Sequence, residues 1–209
     1  YISILLNISK DHLDRYKNIQ EYIKAKEKIF NIKKNGYGLI SVDDSFCKKI
    51  YDTYKMKIRL IPFSINKKIN KGVSFLDNII YDNFFDNKSH LINHNNKSLY
   101  GNFNKQNILV TYMVSKILKL NYNNFLSVIK KFKGLPHRSE CIYEDKKYLI
   151  INNSKATNIE SSINSINEFK NVFLILGGRI KDKNFTIMKN VKENILKCFI
   201  IGESTDKIY

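Results

Sequence analysis

His12 stands between Asp11 and Asp14 in the stretch Asn7-Ile-Ser-Lys-Asp-His-Leu-Asp-Arg15, directly behind an apolar opening run, Tyr1 to Ile8, that reads as a strand. An imidazole flanked by carboxylates beyond the carboxyl end of a parallel strand can ligate a divalent cation or touch a phosphate. The same residues also make an ordinary solvated loop, and spacing alone does not separate the two. Lys26 is the second candidate. Tyr22, Ile23, Ile29 and Phe30 mark an apolar helical face, and position 26 falls three or four residues from each. An ammonium on such a stripe is expected to be paired, neutral or chemically modified, or else to lay its stem along the face and send its head to water.

These residues need elements to hold them. Asn18-x-x-Glu21 has the form of a capping box, and the spacing predicts a helix from there to about Lys34, stopping before Gly36. A short apolar strand, Tyr37 to Val42, is closed by Asp43-Asp44. A helix over Phe46 to Tyr54 and a strand over Ile58 to Phe63 complete a βαβ unit. From Val73 to Ile92 the pattern shortens into strand-like pieces between Asn and Asp turns, and helices are expected over Asn104–Leu120 and Asn124–Phe132. Gly134 can then cap and Pro136 forbids continuation, so a boundary is expected there, between residues 1–133 and 134–209.

Alternation restarts behind that boundary. Strands are expected at Tyr148–Ile151, Val172–Leu176 and Cys198–Ile201, with helices over Ile159–Phe169 and from Phe185 to Asn194. Continuous apolar runs between helices imply a parallel sheet covered on both faces. The class is α/β, in two units of which the second is cut short.

Charge and cysteines bound the function. The chain of 209 residues carries 36 Lys and Arg against 19 Asp and Glu, a formal charge of +17. That balance suits a nucleic-acid binder or an enzyme of anionic substrates, but the basic pairs Lys33-Lys34, Lys67-Lys68 and Lys130-Lys131 are spread along the chain. Spread charge favours compositional drift toward Lys, Asn and Ile over a nucleic-acid surface, and no nucleic-acid partner is expected. Cys47, Cys141 and Cys198 form no Cys-x-x-Cys pair, so reduced thiols buried as small hydrophobes are expected. No apolar run approaches the roughly 18 residues of a membrane span, and the opening residues lack the form of a signal peptide. A cytoplasmic monomer, cut at both ends from a longer chain, is the expectation.

Asn7 to Arg15 followed by Tyr22-Ile-Lys-Ala-Lys-Glu-Lys-Ile-Phe30 resembles the segment of the Mur ligase family in which an Asp-His pair precedes an Ala-Lys helix. By that resemblance Lys26 is carbamylated and, with His12, holds Mg²⁺. Gly134-Leu-Pro-His-Arg-Ser-Glu140 resembles the start of the family's C-terminal domain, where Arg138 would meet the phosphates of ATP. Asn152-Asn-Ser-Lys-Ala-Thr-Asn158 resembles the signature of the branch that adds D-glutamate to UDP-N-acetylmuramoyl-L-alanine. It implies that Thr157 meets a D-glutamate carboxylate, with Lys155 beside it. Ile175 to Phe185 resembles the strand and loop whose Lys181 pairs with a substrate carboxylate. Alone, Gly177-Gly178 would be a plain strand-to-helix turn.

The resemblance covers essentially all 209 residues and implies a truncated central ATPase domain followed by a partial Rossmann-like C-terminal domain. Two positions depart from it. Asn153 stands where the family has an Asp for the ATP ribose, and Phe103 stands where it has a His, leaving Asn104 and Asn107 for the adenine. The phosphate-binding Gly-x-x-x-x-Gly-Lys-Ser/Thr loop is absent from these residues, so the chain alone is expected not to turn over. Another amide ligase of the superfamily, such as a folylpolyglutamate synthase, is the rival enzyme, and Ser154 to Asn158 argues against it. A basic α/β module that binds nucleic acid is the rival of a different class.

Overall fold

A capped helix start, a run of half- and fully buried strands and a chain of tight Asn and Asp turns set the architecture of the first of two compact units, Tyr1–Phe132. The computed structural model describes residues 1–9, 15–31, 35–93, 96–99, 101–178, 186–203 and 205. Strands β1 (Ile2–Leu5), β2 (Tyr37–Ser41), β3 (Leu60–Ser64) and β4 (Val73–Leu76) run parallel in that order. Two antiparallel strands, β5 (Ile79–Asp82) and β6 (Lys88–Leu91), extend the sheet to six. Asp77 and Asn78, the two residues between β4 and β5, both take positive φ, 48° and 60°. That is the backbone of the hairpin turn whose twist matches its strands, and Asp and Asn tolerate it.

Helices cover both faces. Asn18 accepts from the Glu21 N–H at 3.0 Å and starts α1 (Ile19–Glu27), which passes into a 3₁₀ turn at Lys28–Phe30. Asp44 accepts from the N–H groups of Phe46 and Cys47 and starts α2 (Ser45–Tyr54). Tyr22, Ile23, Phe30, Cys47 and Ile50 pack with Leu5, Ile40 and Leu60. On the other side α3 (Asn102–Ile117) and α4 (Tyr122–Lys131) press Ile108, Leu109, Tyr112, Met113, Phe125 and Ile129 against Leu39, Ile61, Phe63 and Ile80. Neighbours such as Leu39 and Ile40 thus serve opposite cores, as the two-residue period of a strand requires.

One polar knot ties the hairpin to α3. Buried Asp82 accepts from the Tyr112 hydroxyl at 2.7 Å and from the N–H groups of Phe84 and Phe85. Asp86 holds the Lys116 ammonium at 2.6 Å, with His90 Nε2 3.4 Å away. Elsewhere cations rest on rings: Lys68 Nζ lies 3.7 Å from the Tyr81 ring centre and the Arg59 guanidinium 4.2 Å from that of Tyr37.

The second unit, Lys133–Tyr209, is built differently. Glu140–Glu144 forms β7, a strand the sequence pattern does not announce, and it pairs antiparallel with β8 (Leu149–Asn152). Helix α5 (Ile159–Ile166) follows, started by Asn158, whose side chain accepts from the Ser161 N–H at 2.8 Å. Strand β9 (Val172–Gly177) pairs in parallel with β10 (Ile195–Ile201), and the expected helix before β10 is a 3₁₀ helix over Thr186–Asn194. The expectation of a parallel sheet covered on both faces, made for this unit, fails for β9. There burial alternates, and Phe173 and Ile175 stand 63% and 70% exposed. The expectation of buried thiols holds for Cys47 alone, since Cys141 is half-buried and Cys198 exposed. Among the described residues no helix is long and apolar enough to cross a membrane.

Candidate functional site

In the first unit the carboxyl ends of the parallel strands converge on two carboxylates. Asp43 accepts from the Ser64 hydroxyl and, at 2.9 Å, from the Ile65 N–H, so it binds the end of β2 to the end of β3. Asp44 caps α2 with one oxygen and accepts from the Ile8 N–H at 3.4 Å with the other, drawing in the chain that leaves β1. Both are braces. Beside them Asn7 donates to Gln106 at 3.4 Å, so the start of α3 faces the same strand ends. Helix α3 begins on Gly101 at φ 96°, a left-handed conformation that a side chain disfavours, with no side-chain cap hydrogen bond.

Asn104 and Asn107 lie one turn apart there. Asn104 is buried and donates to the Ser98 carbonyl at 3.3 Å; Asn107 is exposed and donates to Asn104 Oδ1 at 3.3 Å. Of the two, Asn107 is the one open to solvent. Phe103 is partly exposed on the same turn.

Lys26 takes one of the two courses its sequence position leaves open. It is exposed, with Nζ 5.3 Å from the Tyr22 ring centre, and Ile29 is 43% exposed as well. Beyond it α1 ends at Glu27, and the tighter 3₁₀ turn over 28–30 rotates the stripe so that Phe30 points inward and Ile29 outward. The snorkelling alternative describes what is seen. The Lys26 amine is open to solvent and lacks the burial on which the sequence pattern's case for modification rested. His12 lies outside the described residues, as does Lys181.

The described residues contain one other group with the makings of a cation site, Asp82, Asp86 and His90. It does not fit a metal. Lys116 already brings a positive charge to Asp86, and the oxygens of Asp82 are taken up by a hydroxyl and two N–H groups.

In the second unit two loops are stitched together. The His137 carbonyl accepts from the Lys155 N–H at 3.1 Å, and Asn153 Oδ1 accepts from the Ser139 N–H at 3.1 Å. Asn152 Nδ2 meets His137 Nδ1 at 2.8 Å. His137 and Ser139 take positive φ, 64° and 49°, and the stitching holds them there. These bonds bring Arg138, Asn153 and Lys155 into one neighbourhood, with exposed Thr157 two residues further on, immediately before the Asn158 cap. Arg138, Lys155 and Thr157 are exposed; Asn153 is half-buried. The sequence reading named these four but missed His137, Ser139 and Asn152, whose work is hydrogen bonding across the hairpin. The signal available was Asn152 standing opposite Glu140, which is visible only once β7 is recognised.

The chain is similar to known proteins. The family profile of the Mur ligase middle domain matches residues 1–115. The UDP-N-acetylmuramoylalanine--D-glutamate ligase of Rickettsia bellii is 37% identical over 208 residues, covering 98% of this chain and 46% of its own length. The protein of the same name from Clostridioides difficile is 32% identical over 211 residues, covering 99% and 46%. The chain therefore spans about half the length of the curated relatives it matches. Among solved structures, MurF from Acinetobacter baumannii superposes with a TM-score of 0.67 at 13% identity, over 98% of this chain and 51% of that one. MurC from Thermotoga maritima gives 0.63 at 17% identity, over 99% and 47%. At such identities the superpositions speak for the fold alone.

Proposed function

Because the chain belongs to the Mur ligase family, we propose that it is the central and part of the C-terminal region of an ATP-dependent ligase joining D-glutamate to UDP-N-acetylmuramoyl-L-alanine in peptidoglycan synthesis. The observation that carries the reading is the stitched pair of loops, 137–140 and 152–158. It gathers Arg138, Asn153, Lys155 and Thr157 in the segment that resembles the D-glutamate-adding branch, and the relatives bearing that name align across it.

The chemistry is a carboxylate-amine ligation. The alanyl carboxylate attacks the γ-phosphoryl group of ATP, ADP leaves, and the D-glutamate amine displaces phosphate from the acyl phosphate. Cationic groups must neutralise the transferring phosphoryl group, and two anions must be held in line. Arg138 is assigned the first task, and Thr157, Lys155 and Lys181 the D-glutamate carboxylates. Asn107 takes the adenine contact that buried Asn104 supports from behind. At Asn153 the Ser139 N–H can only donate, so it fixes Oδ1 inward and leaves the NH₂ to meet the ribose as a donor. An Asp at that position would accept instead. Mg²⁺, when bound, supplies positive charge to the phosphates; a carbamate on Lys26, with His12, would hold it.

The test is a phosphate-release assay on the full-length ligase, with each substrate omitted in turn. Release should require ATP, UDP-N-acetylmuramoyl-L-alanine and D-glutamate together, and L-glutamate should not replace the D-isomer. Release with L-alanine or a diamino acid in place of D-glutamate would assign the chain to another branch. Cytoplasmic location and a monomeric state are part of the same proposal. The spread of basic residues supports leaving nucleic acid out of it.

A further inference from the structure

The histidine of the 134–140 turn has no place in the chemistry above, yet it has a defined set of partners. Its N–H donates to Glu140 Oε2 at 2.8 Å, its carbonyl accepts from the Lys155 N–H, and its ring nitrogen Nδ1 lies 2.8 Å from Asn152 Nδ2. Glu140 and Asn152 are opposite one another at the open end of the β7–β8 hairpin. His137 therefore reaches back across the mouth of the hairpin, from one strand's approach to the other strand's exit.

Hydrogen-bond direction then settles what the ring is. The Ser154 backbone N–H points at Asn152 at 3.1 Å, and a backbone N–H can only donate, so the Asn152 atom facing it is the oxygen. The amide orientation is thereby fixed, and its NH₂ faces His137. An NH₂ group needs an acceptor, so Nδ1 carries no hydrogen and the ring hydrogen sits on Nε2. Glu140 Oε2, 3.9 Å from Nδ1, is the carboxylate that would favour a hydrogen at Nδ1. It is already engaged by the His137 backbone N–H.

We infer that His137 is a positioning residue: locked by Asn152 with its hydrogen on Nε2, it latches the Arg138 turn onto the loop bearing Asn153 and Lys155 and so sets the spacing of the ligand-binding groups. This rests on the proposed ligase reading for its functional half and on hydrogen bonding alone for the latch. His137 occupies a left-handed conformation at φ 64° that a side chain disfavours, and the three bonds to Glu140, Asn152 and Lys155 are what hold it.

Nitrogen-15 NMR of the full chain labelled at its four histidines tests the latch, with His137→Asn assigning the resonance. At neutral pH Nδ1 should be bare and Nε2 protonated. In Asn152→Asp, which puts an acceptor where the donor was, Nδ1 should take up a hydrogen at the same pH. A hydrogen on Nδ1 in the wild type, or identical spectra in the two proteins, overturns the latch. Turnover of the full-length ligase tests positioning. His137→Ala should lower kcat at least tenfold with thermal unfolding unchanged, and His137→Asn, whose oxygen stands in for Nδ1, should recover most of the loss. Normal turnover in a folded His137→Ala protein overturns the positioning role. Should the wild type itself fail to ligate D-glutamate while the NMR result holds, the failure belongs to the proposed function and not to the latch.

Discussion

The two units of this chain solve the same packing problem with very different thoroughness. In the first, a six-stranded sheet has helices on both faces, and Leu39, Ile40, Ile61, Phe63 and Ile80 are wholly buried. In the second, Ile159, Ile166 and Val191 are the buried hydrophobics among the described residues, while Phe173, Ile175, Phe199 and Ile201 stand in solvent on one side of a two-stranded sheet. Apolar area removed from water is worth about 25 cal/mol per Å², so the first unit owns most of the stabilisation. The groups proposed to meet D-glutamate ride on the less buried unit. Binding loops are commonly found where local stability is low.

The contrast can be broken where it is strongest. Phe63→Ala empties a fully buried position between β3 and the α3–α4 layer and should cost about 3–5 kcal/mol, read by urea unfolding followed by circular dichroism. A cost under about 1 kcal/mol would mean that the first core is looser than its burial indicates.

The polar knot gives an effect of middle size. Partial burial alone would raise the Asp86 carboxyl. The hydrogen bond and charge of Lys116, with His90 and the Lys88 N–H, outweigh it and hold the carboxyl below its ordinary value. A carboxyl depressed in the folded state contributes stability above its unfolded value near 4, and that contribution is lost as pH falls through the lower folded value. Lys116→Met should destabilise by about 1–2 kcal/mol at neutral pH and flatten the acid side of the stability profile. An unchanged acid slope would show that Asp86 is not its source.

The smallest effect belongs to the open face. Ile175→Ser replaces a side chain 70% exposed and should shift the unfolding midpoint by no more than about 0.5 kcal/mol. A larger loss would place something on that face in solution.

Much of the first unit was legible because its signals are local. Asn18 with Glu21, the Asp43-Asp44 stop and the Asn and Asp turns of 73–92 each declare a cap, an end or a hairpin within a few residues. What failed was whatever depended on a change of helical pitch or on a distant partner. Ile29 read as inward-facing because a 3.6-residue period was carried past Glu27 into a 3₁₀ turn. Strand β7 was invisible because Glu140-Cys-Ile-Tyr-Glu144 does not alternate cleanly and owes its state to pairing with β8. The apolar run Val172–Leu176 looks the same whether one face is covered or two. For the site, residue types named Arg138, Asn153, Lys155 and Thr157 through resemblance, whereas the scaffold of His137, Ser139 and Asn152 required hydrogen-bond geometry.

The lysines resting on tyrosines have a consequence for how so basic a chain tolerates its surroundings. A carboxylate partner vanishes when it takes up a proton, but the face of a ring stays electron-rich from acid to neutral pH. Lys68 over Tyr81 and Arg59 over Tyr37 are therefore contacts that acidification leaves in place, while the bond between Lys116 and Asp86 dissolves. With cations outnumbering carboxylates nearly two to one, aromatic faces act as a second set of counter-groups that no proton can switch off.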